Sequence, residues 1–231
     1  IMNKYYSDEV PKILDVVKRK RIGNQIFRVL KIHCKNLSNL RVLDYGCSTG
    51  VISDIISKKT RSVVGIDVDK KAITMARKKF KRSNLKFKMT NSIKTDFKDE
   101  YFDIIIANQI YEFVDSDKEL MKELYRLLKT GGVCFFGARN KYAIIEAQYN
   151  IPFLSWLPFQ VPGFVGKYRS YFGLKSLAKN FTIHDYTSNI LLDPVKYGFD
   201  KLEKYKWLFK ILPLKLIISL IPNYIWILEK K

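Results

Sequence analysis

The chain has 231 residues, with 42 Lys or Arg against 22 Asp or Glu, and its formal net charge at pH 7 is +20. This length predicts one α/β domain, and the charge favours nucleic acid or phospholipid partners, or else the solvated faces of a lysine-rich chain. The three cysteines are far apart, no CxxC pair occurs and only two histidines are present, so we predict neither disulfides nor a bound metal.

Two apolar segments and the N-terminal sequence indicate where in the cell the protein is expected. The first residues, IMNKYYSDEVPK, lack the apolar core of a signal peptide, which predicts a cytoplasmic protein. Prolines cut residues 150–166, and prolines and lysines cut residues 207–228, so neither segment predicts a transmembrane helix. Both suit a bilayer interface, so peripheral contact with the inner face of an anionic membrane is a further expectation.

Strands and helices alternate in the first part of the chain. Residues 9–40 have helical spacing, and the basic run 18–21 within them is typical of a solvated face. From Arg41 onward the alternation predicts a parallel sheet covered by helices, with Gly131 and Gly132 ending the last helix. The predicted strands are 42–45, 62–67, 85–89, 102–107 and 133–137, and the predicted helices are 51–57, 70–82 and 116–129.

The alternation stops after Arg139. Residues 140–172 are rich in proline, glycine and aromatics, which predicts an insertion with short helices over the sheet, and residues 193–220 predict helices broken at Pro213. The remaining predicted elements are a helix at 173–180, a sixth strand at 181–186 and a final strand at 224–228. We predict one domain over 1–231, made of N-terminal helices (1–40), a core (41–139), insertions with strand 6 (140–222) and a final strand (223–231).

The stretch VLDYGCSTG is the most informative segment of the chain. Asp44 ends an apolar strand, and Gly46 and Gly50 bracket a turn that lets the backbone bend sharply and a ligand approach closely. Ser48 and Val51 occupy glycine positions of a dinucleotide fingerprint, and no Gly-Lys-Ser/Thr sequence follows. The turn therefore predicts a nucleotide-type ligand without a phosphate cradle.

The same string resembles the first motif of class I S-adenosylmethionine-dependent methyltransferases, with Ser48 replacing the central glycine. Four further segments resemble later motifs in the same order and spacing: VVGIDVD, TNSIKTDF, FKDEYFDIIIANQIYEFV and LLKTGGVCFFGARN. Together they are similar to the methyltransferases of ubiquinone and menaquinone biosynthesis over about residues 41–139. Phe113 stands where that family usually has a histidine, and Thr130 where proline is usual.

The resemblance implies a Rossmann-like, seven-stranded, mostly parallel sheet in the order 3-2-1-4-5-7-6, with helical insertions between strands 5 and 6 and between strands 6 and 7. It implies S-adenosyl-L-methionine as cofactor and S-adenosyl-L-homocysteine as product. The implied cofactor-binding residues are Asp44, Tyr45, Gly46, Cys47, Gly50, Asp67, Val68, Asn91, Ser92 and Asn108.

Three of these residues have specific expected roles. Asp67 would accept the ribose hydroxyls, although a helix N-cap is the alternative, a role that Asp69 fills equally well. Val68 would flank the adenine. Asn91 would bond the adenine amino group through its side-chain carbonyl, with an ordinary Asx turn as the alternative.

A general base is not essential for methyl transfer, because alignment contributes more than one base typically adds. Glu112 ranks first as a candidate, followed by Tyr111, since both come just after the fourth strand; His33 and His184 are more often structural. Five aromatics of the insertion could line an acceptor pocket or could simply pack: Tyr149, Trp156, Phe159, Tyr168 and Tyr171.

The segment NKYAIIEAQYNIPFLSWLP, residues 140–158, is similar to a pattern in methyltransferases of glycan and cell-envelope biosynthesis, with Lys141 and Gln148 replacing its arginine and histidine. We therefore predict a methyltransferase acting on a small-molecule, glycan or lipid-like acceptor. The positive charge leaves an RNA methyltransferase as the alternative. The sequence Ala107-Asn108-Gln109, however, differs from the segment with which amino-methylating nucleic-acid enzymes hold a flipped base. A non-catalytic S-adenosylmethionine-binding protein is the second alternative.

Overall fold

The computed structural model describes residues 15–146, 149–157 and 167–231. Within them, one sheet has the strand order β3-β2-β1-β4-β5-β7-β6. Strands β1 to β5 are parallel, and β7 runs antiparallel to β5 and β6. The strands are β1 (Arg41–Tyr45), β2 (Ser62–Asp67), β3 (Leu85–Met89), β4 (Phe102–Asn108), β5 (Leu128–Arg139), β6 (Phe181–Asp185) and β7 (Asn223–Lys230). The predicted seven-stranded order is confirmed.

Helices cover both faces of this sheet because neighbouring residues of each central strand point to opposite sides. Val42 and Ile104 pack with α1, α2 and α3, whereas Leu43 and Ile105 pack with α4 and α5. The helices are α1 (Val16–Cys34), α2 (Val51–Ser57), α3 (Lys70–Lys79), α4 (Asp117–Leu127), α5 (Tyr171–Leu177), α6 (Tyr186–Leu192), α7 (Lys206–Ile211) and α8 (Leu214–Leu220), with 3-10 turns at Leu154–Trp156 and Asp200–Tyr205.

The structure corrects several predicted boundaries. Helix α4 ends at Leu127, before the two glycines, because Leu128 turns extended and already pairs with Phe102 at the start of β5. Helix α3 stops at Lys79, since Phe80 is extended and its ring packs against Phe87.

On the insertion side, strand β6 ends at Asp185, whose side chain caps a helix, α6, that the sequence did not predict. The predicted N-terminal helix is seen as α1 from Val16, with Asp15 as its cap. The first residues of the predicted segment, 9–14, lie outside the described part of the chain. Across the described residues, no helix combines the length and apolar character needed to cross a bilayer.

Candidate functional site

The candidate site lies at the carboxyl ends of the parallel strands. Strand β1 has β2 on one side and β4 on the other, so the chain order reverses there, which is where open α/β sheets bind ligands. A cavity of about 820 Å³ opens at this edge. Two sets of segments line the cavity: the loops after β1, β2 and β4, and, from other parts of the chain, α1, α6 and residues 198–202 and 221–225.

The turn after β1 depends on three residues in the left-handed region. Gly46, Ser48 and Gly50 have φ values of 81°, 47° and 75°. A Cβ on Gly46 would lie 2.6 Å from the Cδ1 of Ile110, and one on Gly50 would lie 2.5 Å from the Phe87 ring. Glycine is therefore required at both ends of the turn, whereas Ser48 adopts its positive φ against the preference of an L-residue.

Asp67 ties this turn to the end of β2. Its carboxylate accepts hydrogen bonds from the backbone N–H of Ser48 at 2.7 Å and of Asp69 at 2.9 Å. The N-cap of α3 is Asp69, whose side chain accepts from the Ala72 N–H at 2.9 Å. Asp69, and not Asp67, is therefore the N-cap of α3. Asp67 lies on the cavity wall.

Asp44 is a second, more deeply buried acid at the cavity. It is only 3% exposed and accepts a hydrogen bond from the Ser53 hydroxyl at 2.5 Å. Burial raises the pKa of Asp44 to about 6, opposed by that hydrogen bond and by the charge of Arg19. Burial also raises the pKa of Asp67, and Arg19 again opposes the shift.

Sequence reasoning missed Arg19 and Ser53. Arg19 belongs to the basic run that we expected to be a solvated face, yet Lys18, Arg19 and Arg21 all line the cavity. Ser53 is fully buried on α2, and the signal in the sequence was a serine between apolar residues of that helix soon after the glycine turn.

The predicted cofactor-binding residues divide into two groups. The cavity wall includes Asp44, Gly46, Asp67, Val68 and Asn108. The others lie off that wall: Tyr45 donates its hydroxyl to the Ile93 carbonyl, Cys47 is buried, Gly50 packs against Phe87, and Asn91 and Ser92 are exposed in the loop after β3. The binding roles of both groups stay predictions.

The two candidate catalytic residues do not reach the cavity wall. The Tyr111 hydroxyl donates to the Arg139 carbonyl at 2.8 Å and accepts from the Arg169 N–H at 3.2 Å. Glu112 is 1% exposed, and its Oε1 accepts from the Arg139 N–H at 2.8 Å. Phe113, at the position of the usual histidine, does line the cavity, and the Arg139 guanidinium lies 4.9 Å from its ring.

A buried ionic cluster surrounds Glu112. Arg139 and Glu146 form an ion pair at 3.5 Å and are 3% and 1% exposed. Burial raises the pKa of Glu112 to about 7, although the Arg139 charge opposes the shift and Glu146 reinforces it. The Oε2 of Glu112 has no hydrogen-bond partner among the described residues.

The aromatics expected around an acceptor are not those found on the wall. Trp156 donates to the Ala143 carbonyl and contacts Tyr142 and Phe153, and Tyr171 packs against Trp226. Tyr149 and Tyr168 also lie off the cavity wall, and Phe159 and Gln148 lie outside the described residues. The aromatic side chains that line the cavity are Phe113, Phe135, Phe199, Phe209 and Tyr224.

Comparisons with known proteins agree with this geometry. Residues 43–136 match the family described as "Methyltransferase domain". A ubiquinone biosynthesis O-methyltransferase of Pelagibacter ubique is 34% identical over 151 residues, which are 62% of each chain. The chain thus spans less than two thirds of that relative's length.

Two solved structures have the same fold at low identity. The PH0226 protein from Pyrococcus horikoshii has a TM-score of 0.64 at 20% identity, with all of both chains covered. An S-adenosylmethionine dependent methyltransferase from Mesorhizobium loti has a TM-score of 0.59 at 16% identity, covering 84% of this chain and 93% of that one. Residues 43–136 therefore match a methyltransferase domain, and the described sheet has the fold of these two solved structures.

Proposed function

We propose that this chain binds S-adenosylmethionine in the cavity and methylates a small, largely apolar acceptor. The observation that carries the proposal is the meeting of Asp44, the Gly46–Gly50 turn and Asp67 at the switch point of the sheet, beside an apolar cavity. When bound, the cofactor supplies an electrophilic methyl group on a sulfonium. The protein's part is alignment and exclusion of water, which can be worth roughly 7–11 kcal/mol.

The side chains on this wall suit the cofactor. Asp67 accepts hydrogen bonds from two backbone N–H groups. A carboxylate has about four acceptor positions, so Asp67 can also accept hydrogen bonds from the ribose hydroxyls. Val68 is 61% exposed beside it and offers an apolar surface to the adenine. We assign the amino-acid end of the cofactor to Asp44 and Gly46, which line the cavity, and the Arg19 charge suits its carboxylate.

The second set of lining segments suits an apolar acceptor that carries an acidic hydroxyl. Ile22, Ile190, Leu191 and Phe209 line it, and the cavity lining also includes several cationic side chains: Lys18, Arg21, Arg139 and Lys201. Neither of the chain's two histidines lines this cavity, so an imidazole base is not built into the wall.

A phenol is therefore the acceptor that we favour. It ionises near a pKa of about 10, far more readily than an alkyl alcohol, and nearby cations lower that value further. The name of the Pelagibacter relative, a ubiquinone biosynthesis O-methyltransferase, agrees with transfer to oxygen.

The surface next to this wall suits an anionic bilayer. Trp207, Ile211 and Leu216 are 61%, 71% and 52% exposed, and exposed lysines at 201, 204 and 215 accompany them. Apolar side chains among lysines match a surface that is apolar below and anionic above. Lys201 and Phe209 also line the cavity, so an acceptor with an apolar tail could enter from the lipid.

Transfer of a radiolabelled methyl group tests the function directly. Purified protein and labelled S-adenosylmethionine are incubated with lipid, small-molecule, glycan and RNA fractions of the source cells. We expect label in an apolar phenolic product, and at least about 10-fold less with the Asp67→Ala variant at a cofactor concentration below its dissociation constant. Label in RNA alone, or in no fraction, would contradict the proposal.

Vesicle sedimentation tests the surface separately. We expect binding to anionic but not to neutral vesicles, weakened about 10-fold or more by the double variant Trp207→Ser, Ile211→Ser, since each buried apolar side chain contributes roughly 1.5–3 kcal/mol. Phe172→Ser is the matched control because Phe172 is 80% exposed on α5, outside this surface. Salt-sensitive RNA binding without vesicle binding would favour a nucleic-acid partner.

A further inference from the structure

The two histidines of this chain meet at one place. His33 lies near the end of α1 and His184 lies on β6, yet their ring centroids are 4.9 Å apart. The His184 Nε2 is 2.8 Å from the Glu229 Oε2 on β7. Both histidines and a carboxylate therefore come together from three elements, although their separation in sequence predicted no metal site.

We propose that His33, His184 and Glu229 form a binding site for a divalent transition metal ion, with Zn²⁺ as the best match. One ligand atom from each residue lies within 4.8 Å of the other two. Two imidazoles and one carboxylate are a donor set that zinc takes in proteins, with water in the fourth position.

The surrounding contacts hold the ligands in place. His184 and Glu229 project from the same face of the antiparallel β6–β7 pair, because Glu229 is two residues from Ile227, the partner of His184. The His33 Nδ1 lies 3.0 Å from the Tyr186 hydroxyl, an outer contact of the kind that orients metal-bound histidines. All three ligands are half-buried, which limits their freedom and leaves the site open to an ion.

Metal binding requires a small closure. Ligand atoms of a tetrahedral zinc ion are about 3.3 Å apart, given bonds of roughly 2.0–2.1 Å. The observed spread of up to 4.8 Å closes by side-chain rotation, since the His184 and Glu229 side chains are each 39% exposed. The bound ion would join the end of α1 to the β6–β7 edge. Helix α1 is also a wall of the cavity, so the ion would fix that wall from its far end.

Thermal unfolding of untagged protein with Zn²⁺ tests the proposal. We expect one equivalent to bind and to raise the melting temperature by about 5–10 °C at 100 times its dissociation constant. His184→Gln and Glu229→Gln should each abolish the shift. Glu203→Gln should keep it, because Glu203 is an acid paired with a lysine, Lys206, outside this group.

X-ray absorption of the zinc-loaded protein gives a second readout that does not depend on the variants' folding. Because the chain has only two histidines, a signature of two imidazoles requires both of them. Three results would overturn the proposal. They are no zinc-dependent shift in the melting temperature of the wild type, a sulfur ligand in the spectrum, or a shift in His184→Gln and Glu229→Gln as large as that of the wild type.

Discussion

The two sides of the cavity are built in different ways. The proposed cofactor side comes from one continuous stretch, in which β1 and β2 each end in a short turn beside a buried or capping acid, Asp44 and Asp69. The proposed acceptor side brings α1, α6 and residues 198–202 and 221–225 together from distant parts of the chain. Local backbone rules thus define the first side, whereas apolar packing between distant segments defines the second.

Gly50→Ala should break the cofactor side most severely. A Cβ at φ 75° would meet the Phe87 ring at 2.5 Å, so left-handed strain and overpacking add to about 2–4 kcal/mol of lost unfolding free energy. Gly131→Ala is the matched control because Gly131 has φ 73° with nothing within 4 Å. It should lose only about 1–2 kcal/mol in urea unfolding. Equal losses in the two variants would show that packing around the turn is unimportant.

Glu112→Gln, a change just behind the cavity wall, should alter how the free energy of unfolding depends on pH. In the folded chain Glu112 keeps its proton up to about pH 7, against 4.5 for an ordinary glutamate. The folded state thus holds an extra proton between these values, and wild-type stability falls as pH rises through them, by about 2–3 kcal/mol relative to Glu112→Gln.

The measurement is urea unfolding of both proteins from pH 4.5 to 7.5. Arg139 and Glu146, the charged neighbours of Glu112, are the same in both, and so is Asp44 with its own raised pKa. A stability difference that is flat with pH, or that favours the wild type as pH rises, would mean that Glu112 is ionised and stabilised by Arg139.

Phe209→Ala should affect the acceptor side alone. Removing an apolar ring from that wall should lower kcat/KM for an apolar phenolic acceptor about 10-fold, the equivalent of losing part of one buried side chain. The dissociation constant of S-adenosylhomocysteine should stay within about twofold, as in the control Phe172→Ala. Steady-state kinetics and calorimetry check both values. A parallel loss of cofactor affinity would mean that the two sides are not separable.

Ser48→Gly should have the smallest effect. It relieves the cost of φ 47° but adds backbone entropy to the unfolded chain, so we expect stabilisation by about 0.5 kcal/mol or less. The variant keeps the backbone N–H that donates a hydrogen bond to Asp67, so the affinity for the cofactor should not change. Loss of affinity in calorimetry would assign the Ser48 hydroxyl a binding role.

The difference between the two sides also explains what the sequence could predict. Strands β2 and β3 and helix α2 have the predicted bounds, because alternating apolar strands and amphipathic helices determine them locally. The motif predicted that Gly46 and Asp67 lie at one ligand site, and both residues line the cavity. The positive φ of Ser48 did not, since closure of the turn imposes it on a residue that ordinarily avoids it.

The acceptor side was harder to predict for a physical reason. Helix α6, with sequence YTSNILL, is short and partly β-branched, so only the Asp185 cap and its packing against β7 select a helix. Arg19 looked like part of a solvated basic run, and its place beside Asp44 depends on how α1 docks. His33 and His184 likewise meet only through tertiary contacts.

Calorimetric titration with S-adenosylhomocysteine tests the central claim most directly, namely that Asp67 and the Gly46–Gly50 turn form the cofactor site. We predict one binding event in the wild type, weaker by about 1.5–3 kcal/mol in Asp67→Ala, the usual worth of a charge-assisted hydrogen bond. Asp54→Ala, which removes an acid paired with Lys58 and Arg82 off the cavity wall, should bind like the wild type. No binding by the wild type, or equal affinity in Asp67→Ala, would contradict the claim.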